Sequence, residues 1–297
     1  MEITRMRDLD VFDPIAGGPL RPIVAASGAV RVGDRLFVVA DDAHDLAAFD
    51  LGQPGPGTLI SAQRPALPTD PDERKRHKPD LEALVHLPDG ALVAMASGST
   101  ADRNEGLRWA LDSGAWPATP PEPVDLLVLH RHLGGRLAEL NLEGAAVVGD
   151  RLILLQRGSG ADAANAMVSF SLAAATAEIA AGALGTDALL DVREYDLGEA
   201  DGVRLCFSDG AGLADGRLVF TAVAEGGDST YHDGAFAGAA IGVLAPDGEL
   251  ESIERLEPSY KVEGITAAPI SGGRLELLLV ADADDPAKPS PLLRCVL

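Results

Sequence analysis

One short unit recurs five times along the chain, and no other feature limits the fold as strongly. Each copy is a Gly/Asp-type turn followed by an apolar run: residues 33–39 (GDRLFVV), 89–95 (DGALVAM), 149–155 (GDRLILL), 215–221 (DGRLVFT) and 272–278 (GGRLELL). Such a unit reads as a hairpin turn entering a buried strand. The shared leucines, Leu36, Leu92, Leu152, Leu218 and Leu275, are spaced by 56, 60, 66 and 57 residues. The 22 residues after Leu275 and the 36 up to Leu36 together make up about one further interval. A near-constant period that closes on itself predicts sheets repeated around an axis, which removes exposed sheet edges. The expected fold is therefore all-β: a single β-propeller over residues 1–297, of five blades. A sixth, degenerate blade is the alternative, because the spacing exceeds the roughly 40 to 50 residues of common propeller repeats.

Residues 3–9 alternate like a lone strand and residues 292–297 read as a third strand without a fourth, so the two termini are expected to complete one blade together. Further third strands are expected at 45–49, 165–170 and 240–244. Residues 53–57 and 117–123 are dense in proline and glycine and read as surface connectors. The mixed-charge run 72–78 reads as a solvated face, and the alanine-rich segment 172–181 as a small helical excursion between blades three and four.

The formal net charge is −22, which sets the chain against nucleic acid and anionic membranes and in favour of cations. No stretch approaches the roughly 18 apolar residues that cross a bilayer. Residues 1–10 lack the apolar core of a secretory signal, and Cys206 and Cys295 lie in strand-like apolar surroundings that fit reduced thiols, so a cytoplasmic location is expected. Neither a Gly-x-Ser-x-Gly elbow nor a phosphate-binding loop nor a dinucleotide fingerprint occurs in a convincing strand-to-helix setting, which disfavours serine-nucleophile, nucleotide-hydrolysing and dehydrogenase chemistry.

Just upstream of four of the turns stands an acid followed by a small residue: Glu82-Ala83, Glu143-Gly144, Asp209-Gly210 and Glu263-Gly264; the first copy has Ser27-Gly28. Equivalent positions of a repeat point the same way relative to the axis, so four carboxylates are expected to converge on a central channel. Converging carboxylates repel unless they share protons or bind a cation, and calcium accepts six to eight oxygen ligands. Glu82, Glu143, Asp209 and Glu263 are thus candidate ligands of calcium or another divalent cation. Two alternatives stand beside this: acids that fasten blades by accepting backbone hydrogen bonds, and acids that bind a ligand without metal. Lys78 and Lys261, each just ahead of a ring acid, are expected to pair with it.

Polar residues beyond the second strands are expected to rim the same channel end: Asp41, Asp42 and His44; Ser97, Ser99 and Arg103; Gln156 and Arg157; Glu225, His232 and Asp233; Asp282 and Asp284. Acids and arginines together would recognise a small polar molecule. Arg103 and Arg157 are candidates to steady negative charge. His44 and His232, in the repeated His-Asp pairs 44–45 and 232–233, are candidate general bases.

The segments 142–145 (LEGA), 262–265 (VEGI) and 208–218 (SDGAGLADGRL) resemble the Glu-Gly and Asp-Gly turns of calcium-dependent propellers, and 78–84 (KPDLEAL) with 94–99 (AMASGS) resembles a bacterial branch of the phytase-like, esterase-like propeller family. The gluconolactonase and regucalcin propellers are a more distant likeness. The resemblance implies a divalent cation near the axis, with Glu143 or Glu263 as the Glu-Gly ligand and Asp209 as the Asp-Gly ligand. In the lactonase branch that cation polarises a lactone carbonyl. This chain has no proline after either Glu-Gly and no lysine-rich surface of the kind a phytase uses. Two functional readings follow: a metal-dependent hydrolase of a small ester, lactone or phosphoester, and a non-catalytic propeller that binds a small ligand or a protein, its carboxylates structural.

Overall fold

The computed structural model describes residues 2–158, 160, 163–226, 234–283, 285 and 287–297. Its strands form five sheets, one per predicted repeat, with no sixth among the described residues. The innermost strands are Ala26–Val32, Leu81–His86, Leu142–Val148, Val203–Gly212 and Lys261–Ile270. Each lies beside the next, and the last returns to the first, so the ring is closed. In blade five the outermost strand is the N-terminal Ile3–Asp8, paired antiparallel with the C-terminal Pro291–Val296. The termini thus complete one blade, as the alternating residues at each end imply.

The reason for the apolar second strands is visible in the packing. Along Arg151–Gln156, Leu152 and Leu154 face the core shared with blade two, while Ile153 and Leu155 face the core shared with blade four. Leu36 and Val38 likewise pack toward blade five, and Phe37 and Val39 toward blade two. Alternate side chains of a strand point to opposite faces, and a propeller sheet is buried on both. A continuous apolar run is therefore what each second strand needs. Five such cores lie between the five blades, and each fully buried leucine contributes roughly 1.5–3 kcal/mol.

Every inner strand loses register with its neighbour at the same place in the repeat: between Ala26 and Ala29, Leu81 and Ala83, Leu142 and Gly144, Phe207 and Gly210, and Val262 and Gly264. A bulge leaves one residue out of the ladder and re-aims its side chain. The residues so released are Ser27, Glu82, Glu143, Asp209 and Glu263 or their immediate neighbours. The acid-small dipeptide is thus the sequence form of a bulge. Two of its glycines are dictated by crowding at the axis: a Cβ on Gly144 would sit 2.6 Å from the Asp209 Cα, and one on Gly264 2.3 Å from the Ser27 carbonyl oxygen.

Among the described residues three short helices decorate the ring. The first, α1 (Pro71–His77), is capped by Asp70, whose carboxylate accepts the Glu73 N–H at 3.0 Å. It corrects the expectation of a mere solvated face, since the run ends with Lys78 turned into the channel mouth. The second and third, α2 (Leu127–Gly134) and α3 (Leu172–Ala180), bury Leu129, Leu133, Ala175 and Ile179 in the core between blades two and three. The alanine-rich helix is therefore not between blades three and four: it lies inside blade three, which resumes with its outer strand Leu189–Tyr195. Pro123 belongs to the edge strand Glu122–Asp125 rather than to a pure connector, a position that proline tolerates because an edge leaves one N–H side unpaired. Among the described residues no helix is long and apolar enough to cross a membrane.

Candidate functional site

The four ring acids leave their bulges into three different settings. Asp209 is 1% exposed and accepts the Ile265 N–H at 2.9 Å and the Ala145 N–H at 3.3 Å, with the backbone N–H groups of Gly210 and Ala29 as further donors. Its carboxylate therefore touches the inner strands of blades three, five and one from its own place in blade four. Burial pushes its pKa well above the ordinary value, against the pull of those donors. Beside it the Ser208 hydroxyl donates to the Val262 carbonyl at 2.7 Å, a second tie between blades four and five.

Glu143 and Glu263 lie on either side of Arg157. The guanidinium, 7% exposed, is 3.4 Å from Glu143, 3.7 Å from Glu263 and 2.6 Å from Glu225. Lys261 joins the same group, at 3.2 Å from Glu225, 3.9 Å from Glu263 and 3.4 Å from Asp282. Asn141 Nδ2 donates to Glu143 at 2.5 Å. Burial raises the Glu263 pKa to about 8 even though Arg157 opposes it, and Glu143 is raised for the same reason. The buried Oε2 of Glu263 has no hydrogen-bond partner among the described residues.

Glu82 has the third setting. It makes no hydrogen bond or ion pair among the described residues, and one of its carboxylate oxygens lies within 4.8 Å of oxygens from both Asp41 and Asp80. Asp80, 2% exposed, sits at φ +57° two residues before it and accepts from Arg103 Nη1 at 2.8 Å and from the Ser97 and Ser99 hydroxyls. Lys78 Nζ bridges Asp41 and Asp80, the latter at 2.9 Å. Burial drives Glu82 well above the ordinary carboxylate range, and Glu143, Asp80 and Asp41 push it the same way. Asp41 is raised to about 6 by burial, and its bond to Lys78 holds it back. Lys78 is pulled down by burial, but Asp41, Asp80 and Glu82 more than offset this and raise it.

Asp41, Asp80 and Glu82 form the group of three acids whose ligand atoms converge; it shares only Glu82 with the four expected on the axis. Three carboxylates are hard oxygen ligands, and they leave a calcium ion room for water or a ligand, so the residues fit such a cation. Lys78 now supplies the positive charge on two of them. Taken together, the seven carboxylates of the mouth, Asp41, Asp80, Glu82, Glu143, Glu225, Glu263 and Asp282, share four cations, Lys78, Arg103, Arg157 and Lys261. Among the described residues carboxyl groups outnumber cations there, and burial favours the protonated form of several of them.

Of the expected rim, Asp41, Ser97, Ser99, Arg103, Arg157, Glu225 and Asp282 join this mouth. Gln156 is spent on backbone, donating to the Glu139 and Arg157 carbonyls at 3.1 and 2.9 Å. Asp42 pairs with Arg74 at 2.9 Å. His44 stands to the side, lining two cavities of about 630 and 360 Å³, and burial and Arg64 lower its pKa. His232, Asp233 and Asp284 lie outside the described residues. Lys261 pairs with its ring acid Glu263 at 3.9 Å as expected, whereas Lys78 pairs with Asp41 and Asp80 and not with Glu82. Asp80 and Asn141 are the residues that the sequence reading missed. Each precedes a ring acid by two.

The fold is similar to that of a luciferin-regenerating enzyme (11% identity, TM-score 0.46, covering 93% of this chain and 92% of that one). It is also similar to a hypothetical protein from Leishmania major (11% identity, TM-score 0.48, 99% and 90%) and to a putative gluconolactonase (14% identity, TM-score 0.44, 99% and 91%). No curated protein matches the chain. Residues 22–297 match the group described as "Family of unknown function (DUF6929)", and the chain belongs to that family.

Proposed function

We propose that the protein binds a divalent cation, calcium or another hard ion, at the mouth of its channel, and there hydrolyses a small polar ester, lactone or phosphoester. The observation that carries this reading is Glu82: a carboxylate released by a bulge, without a partner among the described residues, and within 4.8 Å of two further acids. Acids at that spacing are unfavourable as neighbours until protons or a cation neutralise them. The excess of carboxylates over cations across the mouth supports the same conclusion. Glu82, Asp41 and Asp80 hold the ion, and Lys78 yields its place on the two aspartates to it. Glu143 and Glu263 pack against Arg157 on the opposite side of the mouth. Asp209 fastens the blades.

Bound there, the cation supplies a Lewis acid for a carbonyl or phosphoryl oxygen. Arg103 orients Asp80 and Arg157 neutralises the opposite side of the mouth. His44 serves as proton acceptor; its support is a lowered pKa, which leaves the imidazole neutral near pH 7 and able to take a proton. His232 is retained as a second candidate on its His-Asp pair alone. The Glu-Gly and Asp-Gly bulges support kinship with the phytase-like and lactonase propellers. Two buried, unpaired cysteines support work in the reducing cytoplasm.

The test is calorimetric titration with calcium, paired with thermal unfolding in chelator and in excess calcium. A single stoichiometric site that raises the melting temperature is expected, with affinity at least tenfold weaker in Glu82→Gln. If calcium, magnesium and manganese all fail to bind and to raise the melting temperature, the cation reading falls. A non-catalytic propeller with structural acids then remains, as the bonding of Asp209 already favours for that one residue.

A further inference from the structure

A cavity of about 630 Å³ opens beside the channel mouth, between His44 of blade one, the C-terminal end of α1 and the 100–107 segment of blade two. Its wall carries Lys75, Arg76, Lys78 and Arg103 against Asp102 and Glu105. In a chain of net charge −22 this is a local concentration of basic groups, and Lys75 and Lys78 are two of only four lysines in the sequence. Two lysines and two arginines on one wall of an acidic protein lower the repulsion that an anion meets there.

The wall combines a fixed and an adaptable part. Arg103 is 7% exposed, held by Asp80 at 2.8 Å, by Ser99 at 2.7 Å and by the Lys75 carbonyl at 3.2 Å, and its buried Nε has no acceptor among the described residues. Arg76 is 60% exposed and has Glu73 at 3.9 Å as its ion-pair partner, so its guanidinium is available to swing over the opening. A planar guanidinium offers paired N–H donors to two oxygens of one anionic group. The volume lies within the range of roughly 300–1,000 Å³ that holds small metabolites.

We propose that this cavity binds a small organic dianion, a phosphate monoester or a dicarboxylate. The anion is held by Lys75, Arg76 and Arg103, with Lys78 joining from the carboxylate side. The site needs no cation, so it stands apart from the reading of the channel mouth even though Lys78 borders both.

The experiment is calorimetric titration of the full chain in excess chelator at fixed ionic strength, with inorganic phosphate, glucose 6-phosphate and malonate as three separate probes. Saturable one-site binding of at least one is expected. Tighter binding of the sugar phosphate assigns the phosphate class, and tighter binding of malonate the dicarboxylate class. The Lys75→Ala/Arg76→Ala double variant, both changes on a short surface helix, is expected to bind at least tenfold more weakly at an unchanged melting temperature. Arg255→Ala, on the far side in blade four, is expected to bind as the parent does. Absence of saturable binding for all three probes overturns the proposal, as does equal affinity in the double variant. Because chelator is present throughout, failure here leaves the calcium titration of Glu82→Gln untouched, and failure of that titration leaves this one untouched.

Discussion

Asp209 and Glu82 occupy the same position of the repeat, leave the ladder through the same kind of bulge and point toward the same axis, yet their surroundings are opposites. Asp209 is saturated by backbone N–H donors from its own blade and three others, whereas Glu82 has no hydrogen bond or ion pair among the described residues and faces two further acids. The difference shows that repetition fixes where a side chain is sent but not what receives it. Where inner strands crowd, as at Gly144 against Asp209, backbone donors come within reach and the acid becomes a fastener. At Glu82 the strands approach as closely, with a Cβ on Gly28 falling 2.7 Å from its carbonyl oxygen, but no backbone donor reaches the carboxylate, and the acid is left to meet other side chains and whatever enters the channel.

The largest effect expected from this contrast is on Asp209. Asp209→Ala removes the acceptor of several buried N–H groups at the point where four blades meet, and leaving buried donors unpaired costs about 1–3 kcal/mol each. The variant is expected to lose about 3–5 kcal/mol in urea unfolding, the combined cost of two or more such unpaired donors. Asp209→Asn, which keeps one acceptor oxygen, is expected to fall between the two. Full stability in the alanine variant would remove the fastening role and restore Asp209 to the candidate ligands.

Much of this architecture was legible in the chain. The leucines of the five turns gave the blade count, because a strand buried on both faces must be apolar throughout, and the acid-small dipeptides marked all four acidic bulges. The division of labour among those acids was not legible. It depends on which backbone N–H groups approach across the axis, a property of the inter-strand distance at Gly144 and Gly264 rather than of any local pattern. Asp80 was hidden for a related reason. Its φ of +57° places it at a turn, where an aspartate reads as local turn chemistry, although its carboxylate is spent on Arg103, Lys78 and two serines. The run 72–78 reads as ordinary solvated charge, yet it delivers Lys78 to the mouth.

The second side of the mouth offers a pH test of intermediate size. The Glu263 pKa of about 8 lies above the ordinary value of 4.5, so between those two values the folded chain holds a proton that the unfolded chain has released. Stability from this group is therefore fully present below about pH 4.5 and is lost as the pH rises toward 8, with a slope of at most about 1.4 kcal/mol per pH unit for one proton. Unfolding measured in chelator from pH 5 to 8 is expected to show this decline, and Glu263→Gln is expected to flatten it. An unchanged slope in the variant would mean that Arg157 and Lys261 keep Glu263 ionised throughout.

The smallest expected effect, and the one that separates the two ring acids most sharply, is the stability of Glu82→Gln. A carboxylate without a partner, beside Asp41, Asp80 and Glu143, contributes repulsion whenever it is ionised. Replacing it with a neutral amide of the same shape removes that repulsion and disturbs no hydrogen bond described here. In chelator at pH 8 the variant is expected to be at least as stable as the parent, by up to about 1 kcal/mol, the scale of partly exposed charge interactions. As the pH falls and Glu82 takes up its proton, the gain is expected to vanish. Adding calcium should reverse the order, since the parent then gains binding free energy that the variant has lost. A destabilised variant in chelator would instead place Glu82 with Asp209, as a structural acid whose partners lie beyond the residues described.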